Sequence, residues 1–498
     1  MKSRHLGPAL FVLLASTSAS WAAATPEQAA ELVKTFQTYL GPTPGVVTVT
    51  PAGDGYDVSL DVSPYLKEVP TTGFTATVDP YKFTITPIES GKWAFTQSGP
   101  YKASASVPGT MNFDLSIADM QMEGTYDSNL FVFLDSKYSI SKLTTSQTNS
   151  DAESKIVTSS SSVIESISGT SSSKDLGNGL VDSDGIMTYT GATTNSKVEV
   201  PPELAAMMPN LNYTGTAAKG EYTTKLTGLA SRPVMELIAW GFAHPSKELA
   251  LKNQAELKEK LLAALPVFGS LESTSTFDNL VIDSGYGQFT MASAGVNVGL
   301  NGAVKDGRFS EGLSFTGFKM PDNLLPPWSK GLVPTTLTLG FDVTDFDMET
   351  PARKFITEMD LNNADPVPPG SEAAYMAAFA PKNSVQLTLP SGEISSDLYS
   401  ITYESTSTIS FAGLPQVNAK IRMKGLDAVI TQLQQAAADP MAQQGMAMLF
   451  AAKGVSKTDG DGVVWDITVT PDGKAMVNGT DLSAMLGAMS PPPPAPAQ

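Results

Sequence analysis

No cysteine occurs among the 498 residues of this chain. That absence removes disulfides, thiol nucleophiles, iron–sulfur clusters and Cys-ligated zinc as sources of stability or chemistry. Histidine is nearly as scarce, with only His5 and His244. His5 lies in a segment expected to be removed, so a metal site needing two or three histidines of one chain is excluded. A Ser-His-Asp triad would have to use His244. That residue follows Trp240-Gly241-Phe242-Ala243 and precedes Pro245, and no G-x-S-x-G elbow accompanies it. It reads as a helix-end residue bonding to free carbonyl groups. Positive charge is also in short supply: 32 Lys and Arg stand against 50 Asp and Glu, a net charge of −18. Such a field repels phosphate backbones and anionic head groups, so no nucleic-acid partner is expected. After the first residues no run approaches the ~18 consecutive apolar residues of a membrane helix.

The first residues are a different matter. Lys2 and Arg4 give a positive start, an apolar stretch runs from 6 to 15, and small residues lead to Trp21-Ala22-Ala23-Ala24. This is the pattern of a cleavable secretory signal peptide over residues 1–24, with an apolar core too short to span a bilayer. Cleavage is expected after Ala24, with Ala22 as the second choice. Removal takes two basic residues and no acid, which moves the net charge from −18 to −20. The protein is accordingly expected in the periplasm or outside the cell. Beyond the cut, Thr25-Pro26-Glu27-Gln28 reads as an N-cap, a first-turn proline and a capping box. Ala29, Leu32, Val33, Phe36 and Leu40 then recur at helical spacing.

Most of the remaining chain alternates apolar and polar residues with period two. Hairpins are expected around the turns Pro51-Ala52-Gly53-Asp54-Gly55, Glu89-Ser90-Gly91 and Pro471-Asp472-Gly473. The Ser-rich stretch 144–174 reads as edge strands with polar outer faces. Asp182-Ser183-Asp184-Gly185 and Asp459-Gly460-Asp461-Gly462 lack the EF-hand spacing and read as hairpin turns, not calcium loops. Helices are expected at 201–208, at 233–265 with a break at His244-Pro245, at 371–380, and at 425–453 with a break at Asp439-Pro440. A β region is expected over 276–361. The chain closes with a proline-rich tail over 488–498, expected to be disordered.

The fold class implied is α+β, mainly β: a large curved antiparallel sheet packed against a few helices. An N-terminal β-rich region over 25–230 and a C-terminal helix-plus-sheet region over 231–487 are expected, the second continuous with the first or separate from it. Methionines are dense in the last helix, and thioethers adapt to irregular ligands. Leu433, Met441, Met446, Met448 and Phe450 are therefore candidates for an apolar groove, with core packing as the alternative.

Three short segments carry a resemblance: Lys330-Gly331-Leu332-Val333-Pro334, Met423-Lys424-Gly425-Leu426-Asp427-Ala428, and 470–479, Thr-Pro-Asp-Gly-Lys-Ala-Met-Val-Asn-Gly. Over about 25–487 the chain resembles a family of alphaproteobacterial envelope proteins built on a domain of unknown function, and it is similar to YdgA-like and AsmA-like periplasmic proteins. The resemblance implies a long antiparallel sheet packed on a few helices and supplies no catalytic residues. Such relatives usually keep an N-terminal membrane anchor, whereas the segment here looks cleavable.

The sequence thus points to an exported, non-enzymatic envelope protein that holds a lipid or other apolar ligand between sheet and helices. A structural or protein-interaction module recruiting an envelope partner through sheet edges is the alternative. A carboxylate-based glycan hydrolase is the third reading, because the spacing of a catalytic pair is spatial and hidden in sequence. No catalytic, cofactor or metal residue is nominated.

Overall fold

In the computed structural model, which describes residues 23–67, 73–204, 211–363 and 365–482, the period-two segments become strands. Ala22 and the rest of the expected signal peptide before it lie outside the described residues, as do 205–208 of the short expected helix and the proline-rich tail. Pro201–Leu204 form a turn. Among the described residues 21 strands belong to one antiparallel sheet accompanied by helices. The mainly β, α+β class expected from the sequence is what the chain adopts. By its contacts the chain divides into two units: residues 1–285 with 301–304 and 351–371, and residues 286–300 with 305–350 and 372–498. The expected helices around 233–265 belong to the first unit, so the division falls beyond them.

The first unit opens with α1 (Pro26–Leu40), and the sequence start signals are visible in its geometry. Thr25 is the N-cap, and its hydroxyl accepts a hydrogen bond from the Gln28 amide at 3.3 Å. Only half of the expected capping box forms. The Gln28 side chain is drawn away from the helix start and accepts a hydrogen bond from the Tyr56 hydroxyl. Ala29, Leu32 and Phe36, one stripe of α1, are buried against β1 (Val47–Ala52), β2 (Gly55–Leu60), β4 (Tyr81–Glu89) and the start of β5 (Lys92–Val107). Phe36, Phe83 and Phe95 form the aromatic centre of this cluster. Between these lie the short α2 (Ser63–Lys67) and β3 (Thr75–Val78), the latter paired with the far half of β5.

Six longer strands follow: β6 (Met111–Asp127), β7 (Val132–Ser150), β8 (Val157–Gly177), β9 (Leu180–Glu199), β10 (Leu211–Leu229) and β11 (Ser270–Ser284). Each pairs antiparallel with the next. The Ser-rich stretch is therefore not at an edge, as expected from sequence, but in the middle of the sheet, as β7 and β8. Its hydroxyls pair across strands, Ser136 with Ser171 at 2.7 Å and Ser162 with Thr194 at 2.9 Å. Asp182-Ser183-Asp184-Gly185 likewise lies inside β9 and not in a turn. The turn falls just before it, where Asn178 and Gly179 have positive φ.

These strands share an irregularity. Apolar residues in β6 occupy odd positions up to Ile117 and even positions from Met120; in β7 they change from even to odd between Ile140 and Leu143. The same one-residue slip recurs between Ile164 and Ile167 in β8 and between Tyr189 and Ala192 in β9. At the slip, alternate strands carry a left-handed residue: Gly99 on β5, Lys142 on β7, Gly191 on β9 and Asn279 on β11. Because a slip of one residue moves side chains to the other face of a regular strand, these conformations return the apolar set to one face.

Between β10 and β11 the chain forms α3 (Ser231–Ala243), α4 (Lys247–Lys252) and α5 (Gln254–Ala263), broken at His244-Pro245 as expected and again at Asn253.

The second unit contains β12 (Gly287–Asn301), β13 (Gly307–Thr316) and β14 (Thr336–Phe346). After β14 comes α6 (Glu349–Glu358), whose residues from Pro351 onward belong to the first unit, and then α7 (Glu372–Phe379). α6 interrupts the β region expected over 276–361. Its start signal was Asp347, whose carboxylate accepts from both the amide and the hydroxyl of Thr350. Next are β15 (Ser384–Ser395), β16 (Ser400–Ser410), β17 (Gln416–Lys424), α8 (Leu426–Gln434) and α9 (Pro440–Gly454). Four short strands end the described chain: β18 (Lys457–Asp459), β19 (Gly462–Val469), β20 (Ala475–Val477) and β21 (Thr480–Asp481). Leu426, Val429, Ile430 and Leu433 of α8 bury one stripe against Met423 and Ala442. Asp439 stops the chain between α8 and α9 by capping Met441 through one oxygen and accepting from the Trp328 indole through the other.

Candidate functional site

The cross-strand register of β6 to β11 sorts side chains onto two very different faces. On one face three neighbouring rows are almost wholly apolar. Ile117, Leu143, Ile164, Ala192 and Ala217 form the first, from β6 to β10. Met120, Ile140, Ile167, Tyr189, Gly220 and Phe277 form the second, from β6 to β11. Met122, Tyr138, Gly169, Met187, Tyr222 and Ser275 form the third. The glycines are where aromatic rings lie across the sheet. A Cβ on Gly169 would fall 2.5 Å from the Tyr138 ring, and one on Gly220 2.1 Å from the Tyr189 ring. Tyr189 also meets Phe277 with ring centroids 6.2 Å apart. Burial raises the phenol pKa of both Tyr138 and Tyr189, as expected where water is thinned around a hydroxyl.

Hydroxyl and amide rows border this apolar band on both sides. Ser136, Ser171, Gly185, Thr224 and Ser273 lie along one border; Thr145, Ser162 and Thr194, then Gln147, Ser160 and Ser196, lie along the other. None of the residues in these rows or their borders carries a charge; Lys142 and Glu165 stand at the slip between the first two rows. Other charges sit on the opposite face, among them Asp114, Glu123, Lys137, Lys197, Lys225 and Glu272. A depression of about 590 Å³ lies there, lined by Ser146, Ser161, Asn195, Thr214 and Asp283. It is a poorer candidate: it is open, and its polar groups already bond one another, Thr214 to Asn195 at 2.8 Å.

Most of the apolar band lies outside the two buried clusters described above, although Ile117, Ile167 and Ala217 within it are buried. Met120 and Met122 touch the margin of the first cluster, whereas Ile140, Leu143, Ile164, Tyr189 and Phe277 belong to neither and are half-buried. Next to Met122 in the third row, Gln97 of β5 is only 7% exposed, and its side-chain carbonyl oxygen has no hydrogen-bond partner. The second unit has a smaller counterpart, where Val296, Leu313 and Leu339 pair across β12, β13 and β14 and remain exposed. Glu311 interrupts that face between Val298 and Phe341.

The five residues expected to line a groove are not brought together. Leu433 is 5% exposed inside the α8 cluster and Met446 packs on its edge, but Met441, Met448 and Phe450 are 74%, 66% and 51% exposed, away from that cluster. The helix is apolar all round, so its methionines divide between a filled core and solvent. Sequence reasoning missed the β6–β11 face because its rows exist only across strands. The available signal was the shared phase slip, together with charges confined to one parity of each strand.

His244 caps α3: its ring stacks on Trp240 at 4.3 Å, and its Nδ1 lies 2.8 Å from the Trp240 carbonyl. Asp459-Gly460-Asp461-Gly462 is the turn between β18 and β19, as expected. Asp61, Asp151, Asp360, Asp461 and Asp472 are held below the usual carboxylate range by local hydrogen bonds, first those from Ser63, Ser154, Asn362, Lys424 and Thr470 respectively. A glycosidase general acid requires a shift in the other direction. Among the described residues no three or more His, Asp or Glu gather as metal ligands, and no helix is long and apolar enough to cross a membrane. No family model, curated protein or solved structure matches the chain.

Proposed function

We propose that this chain is an exported, non-enzymatic cell-envelope protein that holds a lipid or other apolar ligand on the uncharged face of β6 to β11. The observation that carries the reading is the three-row apolar band, most of whose side chains belong to neither core and many of which are only half-buried. Contiguous apolar surface of this kind on a water-soluble chain commonly marks a binding site. Its middle row crosses six strands, five steps of ~4.8 Å or about 24 Å. One acyl chain occupies half of a bilayer core of about 30 Å, roughly 15 Å, so the band is long enough for such a chain lying across the strands. This placement differs from a groove between sheet and helices, because the α8–α9 interface is filled. The signal-peptide pattern and the resemblance to envelope proteins support the location.

The experiment is purification from the periplasm of the native host, followed by native mass spectrometry and lipid extraction. A polypeptide beginning at Thr25 with co-purifying lipid is expected. A chain that stays ligand-free, and that binds no acyl probe on titration, would remove the reading. Ile140→Glu places an unpaired carboxylate in the middle of the band and should weaken acyl binding at least ~10-fold.

A further inference from the structure

Resting on that reading, we infer that the ligand is an uncharged, hydroxyl-bearing acyl amphiphile, such as an acylglycerol or a neutral glycolipid, and not a fatty acid or a phospholipid. Three observations converge on this chemistry. First, the apolar band is framed on both sides by serine, threonine and glutamine side chains, which offer hydrogen bonds to a neutral polar head. Second, none of the paired rows that make up the band and its borders includes a lysine or arginine to neutralise a carboxylate or phosphate; Lys142 stands at the slip between the first two rows, exposed to solvent. An anionic head laid on those half-buried, cation-free rows loses hydration without gaining a partner. The surrounding net charge of −18 adds repulsion. Lys137, Lys197 and Lys225 do not help, because they lie on the opposite face.

Third, the Gln97 carbonyl oxygen is buried and unpartnered beside Met122, at the β5 end of the third row. An acceptor without a donor is costly in a closed core and is satisfied by a ligand that brings a hydroxyl. The anionic carboxylate or phosphate group itself brings only further acceptors, so what disfavours a hydroxyl-bearing phospholipid is the cost of its charge. Gln97 thus selects for a donor at the polar end of the ligand, while the rows beyond it take the chain.

The test titrates full-length mature protein with three probes sharing one sixteen-carbon chain: monopalmitoylglycerol, palmitate and palmitoyl-lysophosphatidylglycerol, each below its aggregation threshold, by calorimetry. Monopalmitoylglycerol should bind at least ~10-fold more tightly than either anion. A hexadecanoyl sugar ester tested beside it separates the two sources: either neutral probe binding ahead of both anions supports the assignment. Equal or tighter binding of palmitate or of the lysophospholipid overturns it while leaving lipid binding intact. Absence of binding by every probe overturns the underlying reading as well. Gln97→Met keeps shape and removes the acceptor. It should lower monopalmitoylglycerol affinity ~5- to 10-fold, leave palmitate affinity unchanged and raise the melting temperature of the ligand-free protein. An equal loss for both probes would overturn the role of Gln97. Should that variant not fold, the selectivity of the unmodified chain still decides the proposal.

Discussion

The packing of Tyr189 over Gly220 gives a sharp test of how the apolar face is built. Gly220→Ala would put a methyl carbon 2.1 Å from the Tyr189 ring, so the ring must leave. It then gives up its contact with Phe277 and its cover over the middle row. Truncation of a fully buried aromatic costs about 3–5 kcal/mol, and Tyr189 is half-buried, so a loss of roughly 2–3 kcal/mol is expected. Alanine itself is favoured over glycine within a strand by about 0.5–1 kcal/mol, which offsets part of the loss. The net expectation is destabilisation by roughly 1–2.5 kcal/mol. The assay is urea denaturation followed by far-ultraviolet circular dichroism in a double-mutant cycle. In a Tyr189→Ala background the same Gly220→Ala change should be neutral or stabilising by up to about 1 kcal/mol. If Gly220→Ala costs the same with and without the tyrosine, the ring is not what requires glycine there, and the account of this face fails.

Four further outcomes are expected. Thr25→Ala should cost about 1 kcal/mol, because the Gln28 amide loses its acceptor; thermal melting checks it. Leu433→Ala should cost about 2–4 kcal/mol, whereas Met441→Ser and Met448→Ser on the open side of α9 should change stability by less than about 0.5 kcal/mol. Tyr81, whose phenol burial and then Tyr101 push up to about 12, should stay protonated in the folded chain past pH 10, read by ultraviolet difference absorbance. Since its folded pKa is raised above the unfolded value near 10, its share of stability, roughly 2–3 kcal/mol, is complete below pH 10 and is lost as pH rises towards 12. Replacing Lys142 by glycine should be tolerated and Gly191 by alanine should not, because both sit in the left-handed region and a Cβ at 191 would lie 2.9 Å from Glu165.

Local signals were read well from the sequence and long-range ones were not. The hairpins at 51–55, 89–91 and 471–473 carry glycine where a positive φ is needed, so their turns were legible. Thr25, Asp439 and the His244-Pro245 break likewise act within a few residues of themselves. Errors arose where the reading depended on what lies beside a strand. Serine in β7 and β8 suggested an edge, because polarity on both parities normally marks exposure. Here those strands are central, and hydroxyls pair across them. The methionines of α9 suggested a groove, but a helix apolar on every side does not reveal which side is filled. The apolar band on β6 to β11 was invisible for a further reason. Each strand contributes only one to three apolar residues to it, and the phase slip interrupts the alternation that would have announced them.

That slip has a consequence for how such a sequence can change. Deleting Lys142 alone would leave Ile140 and Leu143 two positions apart, in plain alternation, so that β7 no longer matched the slip that β6 and β8 keep. Nor could the neighbours compensate singly, since Ile117, Ile164 and Ala192 are set by the same line. Strand lengths here are a collective property. Point substitutions can drift freely along the serine rows, but gains or losses of one residue must either avoid the interior of these strands or occur in several of them together.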